Sequence, residues 1–367
     1  MPAARNSPPP LAIACEEQAR QFERAFSLLH EGIGRHAFPG AAAAVTYQGR
    51  LVMHHGCGGF TYDPSSPAVQ PGAIYDLASL TKVVATTAAA MILFERGLFR
   101  VETALAPIVP EFDMPGDTRR RAVTLGMLLA HGSGLPAYAR LFERARDPGA
   151  LLRAAARLPL EADPGSRTAY SDPGFILLGE AIQRLAGESL DSFCRREVFS
   201  PLGMGQTCFC PPEAWRNAIP PTEEDRNFRH RVVQGEVQDE NAAVLGGVAG
   251  HAGLFAPALE VARWAECLLN GGTPLFRRDT VARFTTRQAE SSRALGWDTP
   301  TPPSQSGKYL SARAYGHLGY AGTSLWIDPE RGLSITLLTN RTWPDRSSLL
   351  IKQFRPAFHD AVVEALG

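Results

Sequence analysis

Apolar residues recur at helical spacing early in the chain, where Phe22, Phe26, Leu29 and Ile33 are separated by polar positions, and this pattern predicts an amphipathic opening helix. Two apolar runs follow, Ala41–Tyr47 and Leu51–Gly56, on either side of the Gly-bearing turn Gln48-Gly49-Arg50, the signature of a β-hairpin. A second hairpin is predicted near the other end, with Thr323–Ile327 and Leu333–Thr339 flanking Asp328-Pro329-Glu330-Arg331-Gly332. The tail from Ser347 to Leu366 reads as a closing helix. Between these β-rich ends, from about Leu98 to about Leu245, the pattern is helical with few strand runs. One α/β domain interrupted by a helical insert explains that order better than two sequential domains. The expected division is a discontinuous α/β domain from residues 1–100 and 245–367, with residues 101–244 as a helical subdomain. Pro300–Ser306 reads as a surface loop.

One segment stands apart. From Leu77 to Phe94 the chain reads LASLTKVVATTAAAMILF, apolar or small almost throughout, with Lys82 as its only ionisable residue. Burial disfavours an ammonium and lowers a lysine pKa by up to about 3–5 pH units, which makes Lys82 a candidate base at neutral pH. Ser79 lies three residues earlier, on the same helix face and near the helix N-terminus, where free N–H groups favour a developing oxyanion. The plainer alternatives are an N-cap serine, a snorkelling lysine, and a membrane helix. A span needs about 20 apolar residues and tolerates a central lysine poorly, so no membrane span is expected.

Composition sharpens the lysine. The chain has 367 residues, 44% of them hydrophobic, enough to bury a large core. Its 37 basic residues balance 37 acidic ones, which gives no electrostatic case for nucleic acid. Of the basic residues only Lys82, Lys308 and Lys352 are lysines. Arginine therefore supplies the surface charge, and a lysine, which can lose its proton when desolvated, draws the eye. The apolar run Leu11–Ala14 is too short for a secretory segment, which needs roughly 7–15 apolar residues. The six cysteines show no disulfide or zinc spacing, so a cytoplasmic location with reduced thiols is expected, with no metal or cofactor.

Two later segments join Ser79 and Lys82: Tyr170-Ser171-Asp172 before an apolar helical run, and His317-Leu318-Gly319 before the last strand pair. With SLTK, YSD and HLG in this order, the chain resembles the serine β-lactamase and penicillin-binding-protein superfamily. The likeness is strongest to its class C β-lactamase-like branch, which includes esterases and D-aminopeptidases. LLAHGSGLP (128–136), PLGM (201–204), GHAGLF (250–255) and GTSLWIDPERGL (322–333) carry the same resemblance over most of the chain. It implies an α/β (α+β) fold, an antiparallel sheet flanked by helices with a large helical insert.

The resemblance also implies roles. Ser79 would be the nucleophile that forms an acyl-enzyme, and Lys82 and the Tyr170 hydroxyl would share proton transfer. The backbone N–H groups of Ser79 and Tyr320 would form the oxyanion hole beside Gly319, and His317 would line the pocket wall. A second His-x-Gly, His251-Ala252-Gly253, competes for the third motif, but only His317 precedes a β-hairpin.

Two departures bear on substrate. Asp172 stands where β-lactamases have Asn, and its carboxylate would pair with Lys82, keep it protonated and shift the base role toward Tyr170. His-Leu-Gly replaces Lys-Thr-Gly, losing a permanent charge and a hydroxyl that help hold a carboxylate. The expected substrate is therefore a small ester or amide, with a β-lactam or D-amino-acid peptide as the alternative and a non-catalytic acyl-ligand binder as the remaining reading. No Gly-x-Ser-x-Gly elbow, His-Glu-x-x-His or phosphate-binding glycine loop offers another chemistry.

Overall fold

The computed structural model describes residues 11–302 and 304–367. The polar Met1–Pro10 start and one position of the Pro300–Ser306 loop lie outside the described residues.

The strands, in chain order, are β1 (Ala12–Ile13), β2 (Gly40–Tyr47), β3 (Arg50–Gly58), β4 (Ile74–Asp76), β5 (Cys208–Phe209), β6 (Glu223–Asp225), β7 (Arg231–Val233), β8 (Leu254–Pro257), β9 (Tyr315–Leu318), β10 (Ser324–Asp328) and β11 (Leu333–Thr339). Six of them form the main sheet in the order β1-β3-β2-β11-β10-β9. Its pairings are antiparallel except at one edge, where the two-residue β1 runs parallel to β3. Both expected hairpins are present. Gln48 and Gly49 take φ of 50° and 76°, the left-handed pair that matches a two-residue turn to the twist of its strands. Asp328 shapes the other turn by accepting from the Glu330 and Arg331 N–H groups.

Side-chain alternation explains why β2 is a run of alanines. Ala41, Ala43 and Val45 face a core formed with Phe22, Leu29, Phe358 and Val362 of the opening and closing helices, Glu23–Gly34 and Ile351–Leu366. Ala42 and Ala44 face the larger core on the other side. There the helix Ala258–Leu269 packs on β2 and β11. Small side chains on both faces let helices approach a sheet that is buried twice.

Residues 101–244 supply the helices Leu125–Leu129, Pro148–Ala156, Asp172–Ala186 and Leu190–Cys194. They also supply β5, β6 and β7, strands too short to register as periodic runs, and β5 joins β4 and β8 in a three-stranded sheet. The helical stretch Ala78–Glu95 has the length and apolar composition of a membrane span, and 83% of it is buried inside the fold. It is the central core helix, and Ser79 lies in its first turn.

Candidate active site

The chain enters the site from β4, and its last residue, Asp76, is buried. Its two carboxylate oxygens accept from the Ala78 and Gln238 N–H groups, each at 2.8 Å. Burial raises the Asp76 carboxyl to about 6, against the pull of those two bonds. Ala78 is held at φ 48°, a left-handed conformation that costs a non-glycine residue about 1–3 kcal/mol. The strain sits one residue before Ser79, and the Asp76 bond to the Ala78 N–H holds it in place.

The expected plain α-helix is replaced at its start by two irregular turns. Ala78–Leu80 is a 3₁₀ turn and Lys82–Thr86 a π-helical turn, before regular α-helix over Thr87–Glu95. Ser79 sits in the tight turn and Lys82 opens the wide one, with Lys82 Nζ 3.0 Å from Ser79 Oγ. The wide turn that follows is pinned from outside, by Thr86 Oγ1 donating to the Gly250 carbonyl at 2.6 Å.

Tyr170 and Asp172 flank the start of the helix Asp172–Ala186. Ser171 is its N-cap, accepting from Gly174 N–H at 3.1 Å and donating to the Pro136 carbonyl at 2.7 Å. The Ser171 N–H donates to His131 Nδ1 at 3.0 Å, so the proton of that buried ring resides on Nε2. The His131 ring also packs 4.7 Å from that of Tyr170. This cap delivers the Tyr170 hydroxyl to 2.8 Å from Ser79 Oγ and 3.1 Å from Asp172 Oδ1.

Lys82 is fully buried, and three acceptors surround its ammonium: Asp172 Oδ1 at 2.7 Å, the His251 carbonyl at 2.9 Å and Ser79 Oγ at 3.0 Å. An ammonium has three N–H bonds to give, and each has a partner. The expectation that burial leaves Lys82 with a lowered pKa is therefore corrected. Burial does push it down, but Asp172 and then Tyr170 outweigh burial and leave it above its ordinary value. Burial and the Asp172 charge raise the Tyr170 phenol to about 12, against the pull of Lys82.

His317 lies on β9, paired with Leu325 of β10, and its ring centroid is 6.1 Å from that of Tyr170. Nδ1 bonds the Leu318 carbonyl at 2.9 Å, so Nδ1 carries the proton and Nε2 is a free acceptor. Burial, Lys82 and Arg293 hold the ring neutral, well below the usual histidine range. The next residues turn sharply over the end of β10. A Cβ on Gly319 would fall 1.9 Å from Thr323 Oγ1 and 2.7 Å from the Leu77 carbonyl, so only glycine fits there. Among the described residues, neither the Ser79 nor the Tyr320 N–H donates to another protein group.

Ser79, Tyr170, Asp172, His317, Gly319 and Tyr320 all line one cavity of about 730 Å³, with Lys82 beneath Ser79. Every site residue expected from the sequence is thus brought together. Sequence reasoning missed the groups that hold them. His251, treated only as a rival third motif, supports Lys82 through its carbonyl while its ring bonds Asp239 Oδ1 at 2.8 Å. Burial would raise the Asp239 carboxyl, but the electrostatic pull of His251, then that bond, the Ala242 N–H and Lys82, take it down to about 2. Asp76, His131 and Arg293 were missed as well. Asp76 lies beside the SLTK motif and His131 inside the 128–136 stretch, whereas Arg293 lies in none of the family-like stretches. No cluster of three or more His, Cys, Asp or Glu side chains suited to a metal occurs among the described residues.

A serine flanked by a lysine and a tyrosine hydroxyl, at the junction of a sheet and a buried helix, defines the serine hydrolases of the penicillin-binding-protein and β-lactamase type. The chain belongs to the Beta-lactamase family, whose model matches residues 20–354. A relative from Escherichia coli (strain K12), named "Putative D-alanyl-D-alanine carboxypeptidase", is 35% identical over 322 residues, covering 76% of this chain and 73% of that protein. A Bacillus subtilis (strain 168) protein named N-acetylmuramyl-L-alanine amidase is 32% identical over 343 residues, covering 83% and 77%. Two solved structures share the fold. EstCE1, a hydrolase with promiscuous acyltransferase activity, superposes with a TM-score of 0.77 at 18% identity over 94% of this chain and 99% of that one. A penicillin-binding-protein homologue from Caulobacter crescentus does so with 0.77 at 20% identity over 96% and 98%.

Proposed function

We propose that this serine hydrolase cleaves small esters or amides through an acyl-enzyme on Ser79. The observation that carries the reading is the double contact on Ser79 Oγ, from Tyr170 OH at 2.8 Å and Lys82 Nζ at 3.0 Å. With all three Lys82 protons committed, the serine proton has one consistent route. Ser79 O–H donates to the Tyr170 oxygen, and Tyr170 O–H donates to Asp172 Oδ1.

In acylation, Ser79 Oγ attacks the substrate carbonyl carbon as its proton passes to Tyr170 and the phenol proton shifts toward Asp172. Lys82 stays a fixed cation beside the developing alkoxide. The carbonyl oxygen, now carrying the negative charge, accepts from the Ser79 and Tyr320 N–H groups. As the tetrahedral species collapses, Tyr170 returns a proton to the departing oxygen or nitrogen and recovers its own from Asp172. Water then repeats the sequence on the acyl-enzyme, freeing the acid and Ser79.

Neutral His317 supports uncharged esters and amides, because it offers an acceptor where a carboxylate would need a cation. A second reading, a peptidase for D-amino-acid peptides, is favoured by the names of the relatives. Arg293 in the cavity wall also supports it, lying 5.8 Å from the Tyr170 ring and paired with Asp298 only at 3.6 Å.

The test is to assay wild type and Ser79→Ala on a short-chain nitrophenyl ester, a chromogenic cephalosporin and a peptide ending in D-alanyl-D-alanine. Ester turnover that Ser79→Ala abolishes, with little cephalosporin turnover, is the expected result. Equal ester rates in both proteins would overturn the nucleophile, and turnover confined to the peptide would replace the first substrate reading by the second.

A further inference from the structure

Arg355, on the closing helix, is buried and meets no carboxylate among the described residues. Its guanidinium donates instead to backbone. Nη2 reaches the Gly319 carbonyl at 2.6 Å and the Thr323 carbonyl at 2.8 Å, and Nε reaches the Gly322 carbonyl at 3.3 Å. Nη1 donates to Gln305 Oε1 at 3.0 Å. Burying a guanidinium without a counter-ion is expensive, and here the whole fork is spent on one loop and its neighbour. Burial and the Arg341 charge push its pKa down to about 9, which still leaves it charged at neutral pH.

The Gly319 carbonyl and the Tyr320 N–H belong to the same peptide group. That peptide is trans, so its C=O and N–H point in opposite directions. With the carbonyl turned onto Arg355, the N–H faces away from the guanidinium. A cation on the carbonyl oxygen withdraws electron density through the amide and strengthens the N–H as a donor, the cooperative effect found in hydrogen-bond chains. The following carbonyl, of Tyr320, is fixed by Arg341 Nε at 2.6 Å, and the Arg341 guanidinium stacks 4.3 Å from the Tyr320 ring. The peptide is therefore clamped on both sides.

We propose that Arg355 is a positioning residue for the oxyanion hole: it aims the Tyr320 N–H and polarises its peptide, so that a buried charge acts on the transition state through one amide. The inference rests on the reading of Ser79 as nucleophile and Tyr320 N–H as oxyanion donor. It explains why a charge with no ion-pair partner is kept beneath this loop. Its contribution appears as negative charge develops on the substrate oxygen, so it affects kcat and leaves KM nearly unchanged.

The experiment compares wild type with Arg355→Gln and Arg355→Lys, reading kcat and KM on a nitrophenyl ester and the infrared carbonyl stretch of the accumulated acyl-enzyme. Arg355→Gln is expected to lower kcat by about tenfold to a hundredfold, less than the ~10²–10³-fold of deleting an oxyanion donor outright. The carbonyl stretch should rise toward that of a free ester. Arg355→Lys should recover part of both, because it returns a charge to the Gly319 carbonyl. If Arg355→Gln does not fold, the Arg355→Lys comparison with wild type carries the test, with an intermediate stretch expected. A kcat loss with an unshifted stretch would reduce Arg355 to a structural part and overturn the proposal. Absence of any acyl-enzyme on wild-type Ser79 would instead sink the reading on which it rests.

Discussion

The Lys82 ammonium meets the Asp172 carboxylate at 2.7 Å, with the lysine fully buried and the aspartate 17% exposed. This contact turns the lysine of the first motif from a desolvated base into a fixed cation. Breaking a buried pair by removing one charge typically costs about 3–5 kcal/mol. Asp172→Asn is therefore expected to destabilise the protein by about 3 kcal/mol at pH 7 in urea unfolding. The sign of its pH dependence follows from the raised Lys82 pKa. The stabilisation is fully present below the lysine's unfolded value near 10.5 and is lost as pH rises through the folded one. The gap between wild type and variant should narrow above pH 10.5, and a gap that widened there would contradict the pairing.

Tyr170→Phe removes the hydroxyl that touches both Ser79 and Asp172 while leaving the ring against His131. A loss of about 10²–10⁴-fold in kcat/KM is expected for a proton-transfer group, with little change in Tm. Wild-type turnover by this variant would remove Tyr170 from the proton route and return the role to Lys82.

Acid should unfold the protein more readily than its balanced charge suggests. Burial is the largest force holding His131, His317 and His359 neutral, the first two well below the usual range and the third at about 3. For these depressed groups the unfolded chain takes up protons that the folded one refuses, so stability present above pH 6.5 is lost as pH falls. Asp76, raised to about 6, works the other way, because the folded state binds its proton first. Three rings against one carboxyl leave these four groups with a net loss of stability as pH falls below about 6. Urea unfolding at pH 7.5, 6 and 5 measures it, and a flat profile would show that these rings titrate in the native state.

Gly319→Ala places a methyl group where Thr323 Oγ1 and the Leu77 carbonyl already stand. The loop carrying the Tyr320 N–H must shift. Overpacking of this kind costs about 1–3 kcal/mol of stability. A fall of at least ~10-fold in kcat is expected, equivalent to about 1.4 kcal/mol of lost transition-state stabilisation. Unchanged kcat in a folded variant would separate this loop from the chemistry.

Much of this was legible in the chain itself. The apolar runs of β2, β3, β10 and β11 and the turns between them follow local rules, because a hairpin is written in contiguous residues. The three motifs were legible for the same reason: each is short, and their order along the chain is kept by the fold.

Lys82 marks where local reading stops. Its burial could be inferred from the apolar residues around it, and its pairing with Asp172 was suggested by the departure from the family motif. Which effect wins depends on distances between segments 90 and 169 residues apart. Only the tertiary structure brings Asp172 Oδ1, the His251 carbonyl and Ser79 Oγ within 3.0 Å of one nitrogen, and only that convergence sets its charge. The same holds for Asp76 beneath Ala78 and Arg355 beneath Gly319. Residue types and their local order determined which groups were available for catalysis. Electrostatic energy varies with separation and desolvation, neither of which is a property of one-dimensional order, so the packing of distant segments decided what state each group is in.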